Sequence, residues 1–151
     1  MYDPILVAVD GSDAAGRAAE EAFRLAREFD ATVHLLYVLD ESASTLLFSA
    51  ESLSNRFDRL RSDADEFLAD LRADEGDLAV ESAVIRGMGV YRGIVGYAER
   101  EGMELIVMGS RGRHGRAGVL GNTSERVGAN SDIPVLLVPG PEEPPDDESP
   151  A

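Results

Sequence analysis

Short, uninterrupted apolar runs alternate along this sequence with amphipathic stretches, and this alternation restricts the fold more than any other feature. The runs predict strands at Ile5–Val9, Val33–Leu39, Leu78–Ile85, Leu105–Met108 and Pro134–Val138. Continuous apolar strands are typical of parallel sheets covered on both faces, and a helix between two such strands forms a right-handed crossover. The pattern therefore predicts the α/β class: a single open five-stranded parallel sheet with helices on both faces, similar to a Rossmann fold.

Amphipathic stretches between these runs predict four helices. Ser12 or Asp13 is positioned to cap the first helix. The second helix carries one apolar stripe from Leu53 to Leu71, and Gly76 is expected to end it. The other two are predicted over Val90–Glu101 and Asn122–Asn130. Since every predicted element lies within residues 1–139, we expect these residues to form one domain.

Composition excludes several kinds of site. The 151 residues include no cysteine, which rules out disulfides, zinc–thiolate centres, iron–sulfur clusters and cysteine nucleophiles. The two histidines, without cysteine, leave no protein-only transition-metal site. There is no basic leader segment and no apolar run near the roughly 18 residues of a membrane span. We therefore expect a cytoplasmic protein with no membrane partner.

The charge balance is strongly acidic. The chain has 29 acidic and 14 basic residues, a formal net charge of −15, and every basic residue is arginine. Such a surface suits a cytoplasm of very high salt, where self-repulsion is screened, and predicts a halophilic source. An ordinary acidic protein from a GC-rich genome would also favour arginine over lysine. In either case the acidic surface argues against nucleic acid and anionic membranes as partners.

Residues 140–151 differ in composition from the rest of the chain. They contain four prolines and five acidic residues and no large apolar side chain. A segment of this kind cannot bury enough apolar surface to offset the entropy of ordering. It predicts a disordered acidic tail.

The ends of two predicted strands mark the expected ligand site. Asp10 follows the first strand and Gly109 the fourth. Ligands of open α/β sheets bind at the carboxyl ends of the strands, where the strand order reverses. If the first and fourth strands are neighbours there, Asp10 faces this crevice and can bind ribose or a metal ion. The alternative role of Asp10 is to cap the turn at Gly11 and Ser12.

The segment Gly109–Gly121 has the composition of a phosphate-binding loop. It contains five glycines and a histidine, His114, and its arginines at 111, 113 and 116 are the densest positive cluster in the chain. Glycine lets backbone N–H groups approach a phosphate, and guanidinium groups match phosphate geometry. The loop is not a Walker motif, which requires lysine. An ordinary flexible loop before a helix capped by Asn122 and Glu125 remains the alternative.

At this point the sequence resembles the universal stress protein family over about residues 3–139. The resemblance is carried by ILVAVDGS at 5–12, HLLYVLD at 34–40, IVGYAEREGMELIVMGSRGR at 94–113, GNTSERV at 121–127 and DIPVLLVP at 132–139. It implies a fold like that of the adenine-nucleotide alpha hydrolases. The family's nucleotide motif is matched by Gly109, Gly112 and Gly121, but the spacer after Gly112 has eight residues, one fewer than usual. Asn122 stands where the family carries Ser or Thr.

The resemblance implies a binding site for ATP or another adenine nucleotide. Ala8, Val9 and Asp10 would meet the adenosine, Val38 would hold adenine through its backbone, and Met108 and Gly109 would flank the ribose. The phosphates would be wrapped by Arg111, Gly112 and Arg113 and by the helix start at Gly121, Asn122, Thr123 and Ser124. Mg²⁺ or Mn²⁺ would accompany the phosphates, with Asp10 as a candidate ligand. The resemblance also implies a homodimer through Pro134–Val138, an apolar edge strand that would otherwise be exposed.

Three functions stay open from the sequence. The first is a dimeric adenine-nucleotide-binding protein of regulation or the stress response. The second is a dimer that has lost nucleotide binding and acts by protein–protein contact, which the shortened loop favours and the retained arginines disfavour. The third is a slow ATP hydrolase in which Arg111 or Arg113 stabilises phosphate charge. No catalytic base can be assigned, and His34, which lies in a predicted strand, is expected to be packed.

Overall fold

A computed structural model of the chain describes residues 1–41, 50–73, 75–110 and 122–140, with the side chains of residues 50–53 excluded. Over these residues the strands are β1 (Ile5–Val9), β2 (Val33–Asp40), β3 (Val80–Gly87), β4 (Leu105–Gly109) and β5 (Val135–Val138). They form one parallel sheet in the order β3-β2-β1-β4-β5. The predicted α/β fold is confirmed, and β1 and β4 are neighbours as the crevice requires.

Four helices are described: α1 (Asp13–Phe29), α2 (Ala50–Arg72), α3 (Val90–Arg100) and α4 (Asn122–Asn130). Of the two predicted caps for α1, Ser12 is the N-cap, and its hydroxyl accepts a hydrogen bond from the Ala15 amide at 3.1 Å. Asp30 ends α1 in a left-handed conformation with φ of 55°. The helices therefore connect the parallel strands by the crossovers that the sequence pattern predicts.

The sheet separates two apolar clusters, one on each face, because successive strand residues point to opposite sides. Val7, Val9 and Leu35 pack with α1 and with Leu68 of α2 on one face. The other face packs against α3 and α4 through strand residues that include Leu6, Leu36 and Ile106 and helix residues that include Ile94 and Val127. Both sides of β1 and β4 are thus buried, which is why neither strand carries a polar side chain.

The bounds of β1 and α4 are as predicted, whereas ends of the other predicted strands and helices differ by one to four residues. Pro134 precedes β5, because it has no N–H to donate, although its carbonyl still accepts the Ile106 amide at 2.9 Å. β3 begins at Val80, since the amide of Leu78 closes a turn by donating to Glu75. α2 ends at Arg72, before Gly76, and Gly76 takes a φ of +56° in the turn that follows. The predicted tail beyond residue 140 lies outside the described residues.

None of the helices in the described ranges is long and apolar enough to cross a membrane.

Candidate functional site at the carboxyl ends of β1 and β4

Strands β1 and β4 end side by side and bring two of the predicted site segments together. Ala8 of β1 pairs with Met108 of β4, so Asp10 and Gly109 both lie at the carboxyl edge of the sheet. Ser110 continues past β4, and its amide donates to the carbonyl of Val138 at 3.0 Å. β1 lies between β2 and β4 in the sheet. The strand order therefore reverses between β1 and β4, and the switch point is at the carboxyl ends of these two strands.

Asp10 is half-buried and already serves the turn that follows β1. Its Oδ1 accepts the amide of Ser12 at 3.0 Å, and its backbone carbonyl accepts the Tyr37 hydroxyl at 3.2 Å. The alternative role predicted for Asp10, capping this turn, is therefore present. A carboxylate has two acceptor oxygens, and the described contacts use only Oδ1, so Oδ2 is left to meet a ligand.

Gly109 is held against the first turn of α1 at a distance that admits no side chain. A Cβ built on Gly109 would lie 2.9 Å from the Cβ and 3.1 Å from the carbonyl carbon of Ala14. Gly140, two residues beyond β5, also packs on Ala14, and a Cβ added to it would lie 3.0 Å from that methyl group. The ends of β4 and β5 and the start of α1 therefore meet around one small residue.

Ala8, Val38 and Met108 line one face of the sheet near its carboxyl edge. Their exposed fractions are 9%, 8% and 5%, and all three belong to the cluster that packs against α3 and α4. Val9 belongs to the opposite cluster, under α1. The structure thus brings the side chains of three predicted adenosine contacts to one side, while Val9 presents only its backbone there.

Helix α4 starts at Asn122, as predicted, and turns back to the end of β4. Ser124 is 3% exposed, and its hydroxyl donates to the carbonyl of Ser110 at 3.4 Å. Asn122 is exposed and Thr123 half-buried. The first amides of a helix have no intrahelical acceptor and carry a partial positive charge. This helix start is therefore suited to an anion lying at the end of β4.

The central part of the predicted phosphate loop lies outside the described residues. This applies to Arg111, Gly112, Arg113 and Gly121, and to His114. Their roles remain predictions.

The structure brings together a cluster that the sequence did not reveal. Arg92 of α3 and Arg126 of α4 both place a guanidinium group over the ring of Tyr91, with Cζ-to-centroid distances of 5.7 Å and 5.5 Å. Arg92 Nε also donates to the Tyr91 hydroxyl at 3.2 Å. This hydrogen bond and the charge of Arg92 lower the pKa of Tyr91, and the charge of Arg126 adds to the effect. The signal for this cluster in the sequence was one arginine near the start of α3 and one near the start of α4, the two helices that begin at the carboxyl edge of the sheet on the same face.

His34 is packed, as expected. Its Nδ1 lies 3.1 Å from the Tyr97 hydroxyl and its Nε2 lies 3.5 Å from the Glu81 carboxylate. Burial raises the pKa of Tyr97, and the negative charges of Glu101 and Glu81 add to the shift, against Arg100. His34 pairs with Leu6, near the start of β1 and far from Asp10. Among the residues described, no group of three or more histidine or acidic side chains is arranged to hold a metal ion.

These features define a doubly wound α/β protein whose switch point lies at the carboxyl ends of β1 and β4, beside the start of α4 and before a glycine- and arginine-rich loop in the sequence. The family model described as "Universal stress protein family" matches residues 1–139. The chain belongs to this family.

Individual relatives agree with the assignment. A universal stress protein of Methanocaldococcus jannaschii is 34% identical over 144 residues, covering 93% of this chain and 84% of that protein. The solved universal stress protein UspA from Lactobacillus plantarum superposes with a TM-score of 0.82 at 27% identity, covering 91% of this chain and 97% of that one. The universal stress protein from Archaeoglobus fulgidus, solved in complex with dAMP, gives a TM-score of 0.64 at 23% identity, covering 91% of this chain and 98% of that one.

Proposed function

We propose that this protein binds an adenine nucleotide, with ATP as the expected ligand, in the crevice between the ends of β1 and β4. It would act as a dimeric regulatory protein of the stress response. The observation that carries the proposal is the meeting, at one sheet edge, of the Asp10 carboxylate, the apolar wall of Ala8, Val38 and Met108, and the start of α4.

Each part of the crevice suits one part of the ligand. The apolar wall borders the expected position of the adenine ring, and pockets for such rings are mostly apolar with a few polar groups that fix orientation. Because α3 and α4 largely cover these side chains, we expect the ring to be held mainly through backbone groups, as predicted for Val38. The carboxylate of Asp10 can accept from ribose hydroxyls. The first turn of α4 suits a phosphate, and Arg111 and Arg113 are expected to add charge from the loop between β4 and α4.

A known complex gives independent support at the level of the fold. The Archaeoglobus fulgidus protein was solved with dAMP, so this architecture has room for an adenine nucleotide. At 23% identity that complex does not transfer individual contacts to this chain. The case for this chain therefore rests on its own residues.

A divalent cation would enter with the phosphates. Mg²⁺ is commonly held by one or two carboxylates plus phosphate oxygens and water, and Asp10 is the single carboxylate proposed here. The described residues fit a metal shared with the nucleotide better than a protein-only site. Mg²⁺ or Mn²⁺ would neutralise phosphate charge near an acidic surface.

The second candidate is a dimer that works by protein contact without nucleotide. It is favoured by the eight-residue spacer after Gly112 and by Asn122 in place of Ser or Thr. Both candidates share a dimer through the segment Pro134–Val138. β5 is an edge strand that pairs only with β4 in the described sheet, and Leu136 on it is 36% exposed. An apolar edge of this kind is protected when a second strand covers it.

The deciding experiment measures nucleotide content and affinity. The protein is purified in KCl-rich buffer and denatured, and the supernatant is analysed by chromatography. The emptied protein is then titrated with ATP and Mg²⁺. Retained adenine nucleotide or saturable binding supports the first candidate; the absence of both at millimolar ATP leaves the second.

A conservative variant tests the role of Asp10. Asp10→Asn keeps an oxygen to accept the Ser12 amide but removes the charge, so we expect Mg²⁺–ATP affinity to fall by about tenfold, the size of one charge-assisted contact. The matched control is Asp13→Asn. Asp13 lies three residues after Asp10, at an exposed position in the first turn of α1. Equal affinity in both variants would remove Asp10 from the site.

A further inference from the structure

Strand β2 continues beyond the end of β1, and this leaves a backbone acceptor at the carboxyl edge of the sheet. β1 ends at Val9, opposite Tyr37, and β2 runs on past that pair. The amide of Ile5 donates to the carbonyl of Thr32. Thr32 and every second residue after it, including Val38, therefore turn their backbone groups toward β1. The Val38 carbonyl thus points to the place that a longer β1 would have filled.

The chain after β1 does not supply a donor to this carbonyl. Residues 10–12 turn into α1, and Gly11 takes a φ of 84° in that turn. Among the residues that the structure describes, no hydrogen bond reaches the Val38 carbonyl. A backbone acceptor of this kind needs a partner, so it is open to water or to a donor group of a ligand in the crevice.

The side chain of Val38 is seated on α3 at a position where α3 has no side chain. Val38 is 8% exposed and belongs to the cluster under α3 and α4. A Cβ built on Gly93 would lie 2.9 Å from one Val38 methyl group and 3.2 Å from the other. Gly87, at the end of β3, faces the first of these methyl groups at an ordinary distance of 3.6 Å from its own built Cβ. The missing side chain at Gly93 therefore makes room for Val38.

A methyl group at residue 93 has no easy way to be accommodated. The two Val38 methyl groups branch directly from Cβ, so they are stiff and move with the backbone of β2. The same added Cβ would also lie 3.6 Å from the δ1 carbon of Ile85. Gly93 is fixed in the first turn of α3, where its amide donates to the carbonyl of Gly89 at 3.2 Å. Relief requires α3 or the end of β2 to shift, and the Val38 carbonyl shifts relative to the crevice with it.

We propose that Gly93 is a positioning residue of the adenine site. By seating the Val38 side chain, it holds the Val38 carbonyl where that oxygen accepts a hydrogen bond from the exocyclic amino group of adenine. Gly93 touches no ligand and acts only through Val38. This inference rests on the proposed binding of an adenine nucleotide, and it adds the group that selects the base.

The chemistry of a carbonyl gives this arrangement a direction of selectivity. A carbonyl oxygen accepts a hydrogen bond and cannot donate one. A purine that carries an oxygen in place of the amino group would set two acceptors against each other, and the unpaired groups weaken binding. The site should therefore prefer adenine to hypoxanthine or guanine, and the preference should depend on Gly93.

Calorimetric titration of the full chain with ATP and with inosine triphosphate, each with Mg²⁺, tests the proposal. The two ligands share ribose and phosphates, and inosine triphosphate carries an oxygen where ATP carries the amino group. We expect the parent protein to bind ATP about tenfold more tightly. Gly93→Ala should reduce this ratio severalfold by weakening ATP alone, whereas a general loss of folded protein would weaken both ligands together.

A second glycine of α3 provides the matched control. A Cβ built on Gly96 would meet only the end of the flexible Arg100 side chain, at 3.7 Å. Gly96→Ala makes the same change in the same helix, so both affinities should stay as in the parent protein.

Two variants of Val38 identify the contact responsible. Gly93→Ala combined with Val38→Ala removes the methyl groups that the new side chain would meet and keeps the carbonyl, so most of the lost preference for ATP should return. Val38→Ile enlarges the same contact from the other side and should reduce the ratio as Gly93→Ala does. Val38→Ile also decides the question if Gly93→Ala fails to fold, which circular dichroism reports.

The outcomes separate this inference from the proposed function. A parent protein that binds neither nucleotide at millimolar concentration removes the proposed function, and the adenine site with it. A parent protein that binds ATP, with the same preference over inosine triphosphate in Gly93→Ala and Val38→Ile, overturns the role of Gly93 alone. A double variant that recovers none of the preference would likewise exclude Val38 as the group through which Gly93 acts.

Discussion

Gly109 has no room for a side chain, so a substitution there tests the close packing of the end of β4 against the start of α1. In Gly109→Ala the new methyl group would meet the Cβ and the backbone of Ala14 at about 3 Å, and backbone cannot move aside as a flexible side chain would. We expect a loss of about 1–3 kcal/mol in the free energy of unfolding, the usual cost of overpacking. Urea denaturation followed by circular dichroism at fixed KCl concentration measures it.

Gly128 provides the matched control. It lies within α4, and a Cβ there would meet nothing within 4 Å. Gly128→Ala should therefore stabilise the protein by about 0.5–1 kcal/mol through helix propensity alone. If both variants changed stability by the same amount and in the same direction, the close contact between Gly109 and Ala14 would be refuted.

Two tyrosines are expected to ionise on opposite sides of the ordinary pKa of about 10. Tyr91 should lose its proton at lower pH, because the hydrogen bond and charge of Arg92 favour the phenolate. Tyr97 should lose it at higher pH, because burial and the charges of Glu101 and Glu81 oppose the anion. Titration of the ring-carbon NMR signals resolves the two groups.

Arginine variants test the causes of the pKa shifts of Tyr91 and Tyr97. Arg92→Gln should raise the pKa of Tyr91 towards its ordinary value and leave Tyr97 unchanged. Arg100 favours the phenolate of Tyr97, so Arg100→Gln should raise the pKa of Tyr97 further without affecting Tyr91. A pKa of Tyr91 that does not change in Arg92→Gln would contradict the hydrogen bond between the Arg92 guanidinium and the Tyr91 hydroxyl.

Among the elements, β5 carries the proposed dimer contact. Leu136→Arg places a charge on this apolar edge, and the cost of burying an unpaired guanidinium should shift the protein to a monomer. The control is Met88→Arg, a change from exposed apolar residue to arginine in the turn after β3, at the other edge of the sheet. Light scattering coupled to gel filtration gives the mass; a dimeric Leu136→Arg protein would place the interface elsewhere.

At this scale the sequence predicted most of the fold. Strands β1 and β4 were readable because burial on both faces makes every position apolar, as at Ile5–Val9. The start of β5 was less certain, because Pro134 is apolar yet cannot donate to the ladder. The neighbouring positions of β1 and β4 were only a condition in the sequence argument, since local patterns do not encode strand order.

The candidate site was predicted unevenly, for a physical reason. Asp10 and Gly109 are adjacent to strand ends, so topology alone brings them to one edge. The contact of Tyr91 with Arg126 depends on how α3 packs on α4, which no local pattern specifies. The same applies to the close approach of Gly140 to Ala14.

For the whole molecule, a net charge of −15 predicts that salt stabilises the fold. The Debye length falls from about 10 Å at 0.1 M to about 3 Å at 1 M salt, which screens repulsion among exposed carboxylates. We expect the melting temperature to rise by several degrees over this range of KCl, equivalent to about 1–2 kcal/mol. Calorimetric scans at graded KCl measure the slope.

Removing charge from α2 tests whether repulsion among carboxylates causes the dependence of the melting temperature on KCl. Asp58 and Asp65 are exposed and take part in no ion pair within the described ranges. Asp58→Asn with Asp65→Asn should flatten the dependence on KCl. A slope that is flat in the parent protein would refute the proposed salt adaptation.

The pairing of β1 with β4 also has a consequence for biosynthesis. Ile5 leaves the ribosome early, but its partner on one side, Leu105, follows only after β2, α2, β3 and α3 have been made. The first strands and α1 can assemble while translation continues. β1, the central strand, then has one edge unpaired until β4 has been made. The crevice cannot exist on a nascent chain that stops before β4. A ligand of the proposed crevice can therefore bind only after β4 has been made, and until then the edge of β1 that β4 covers in the finished sheet stays unpaired.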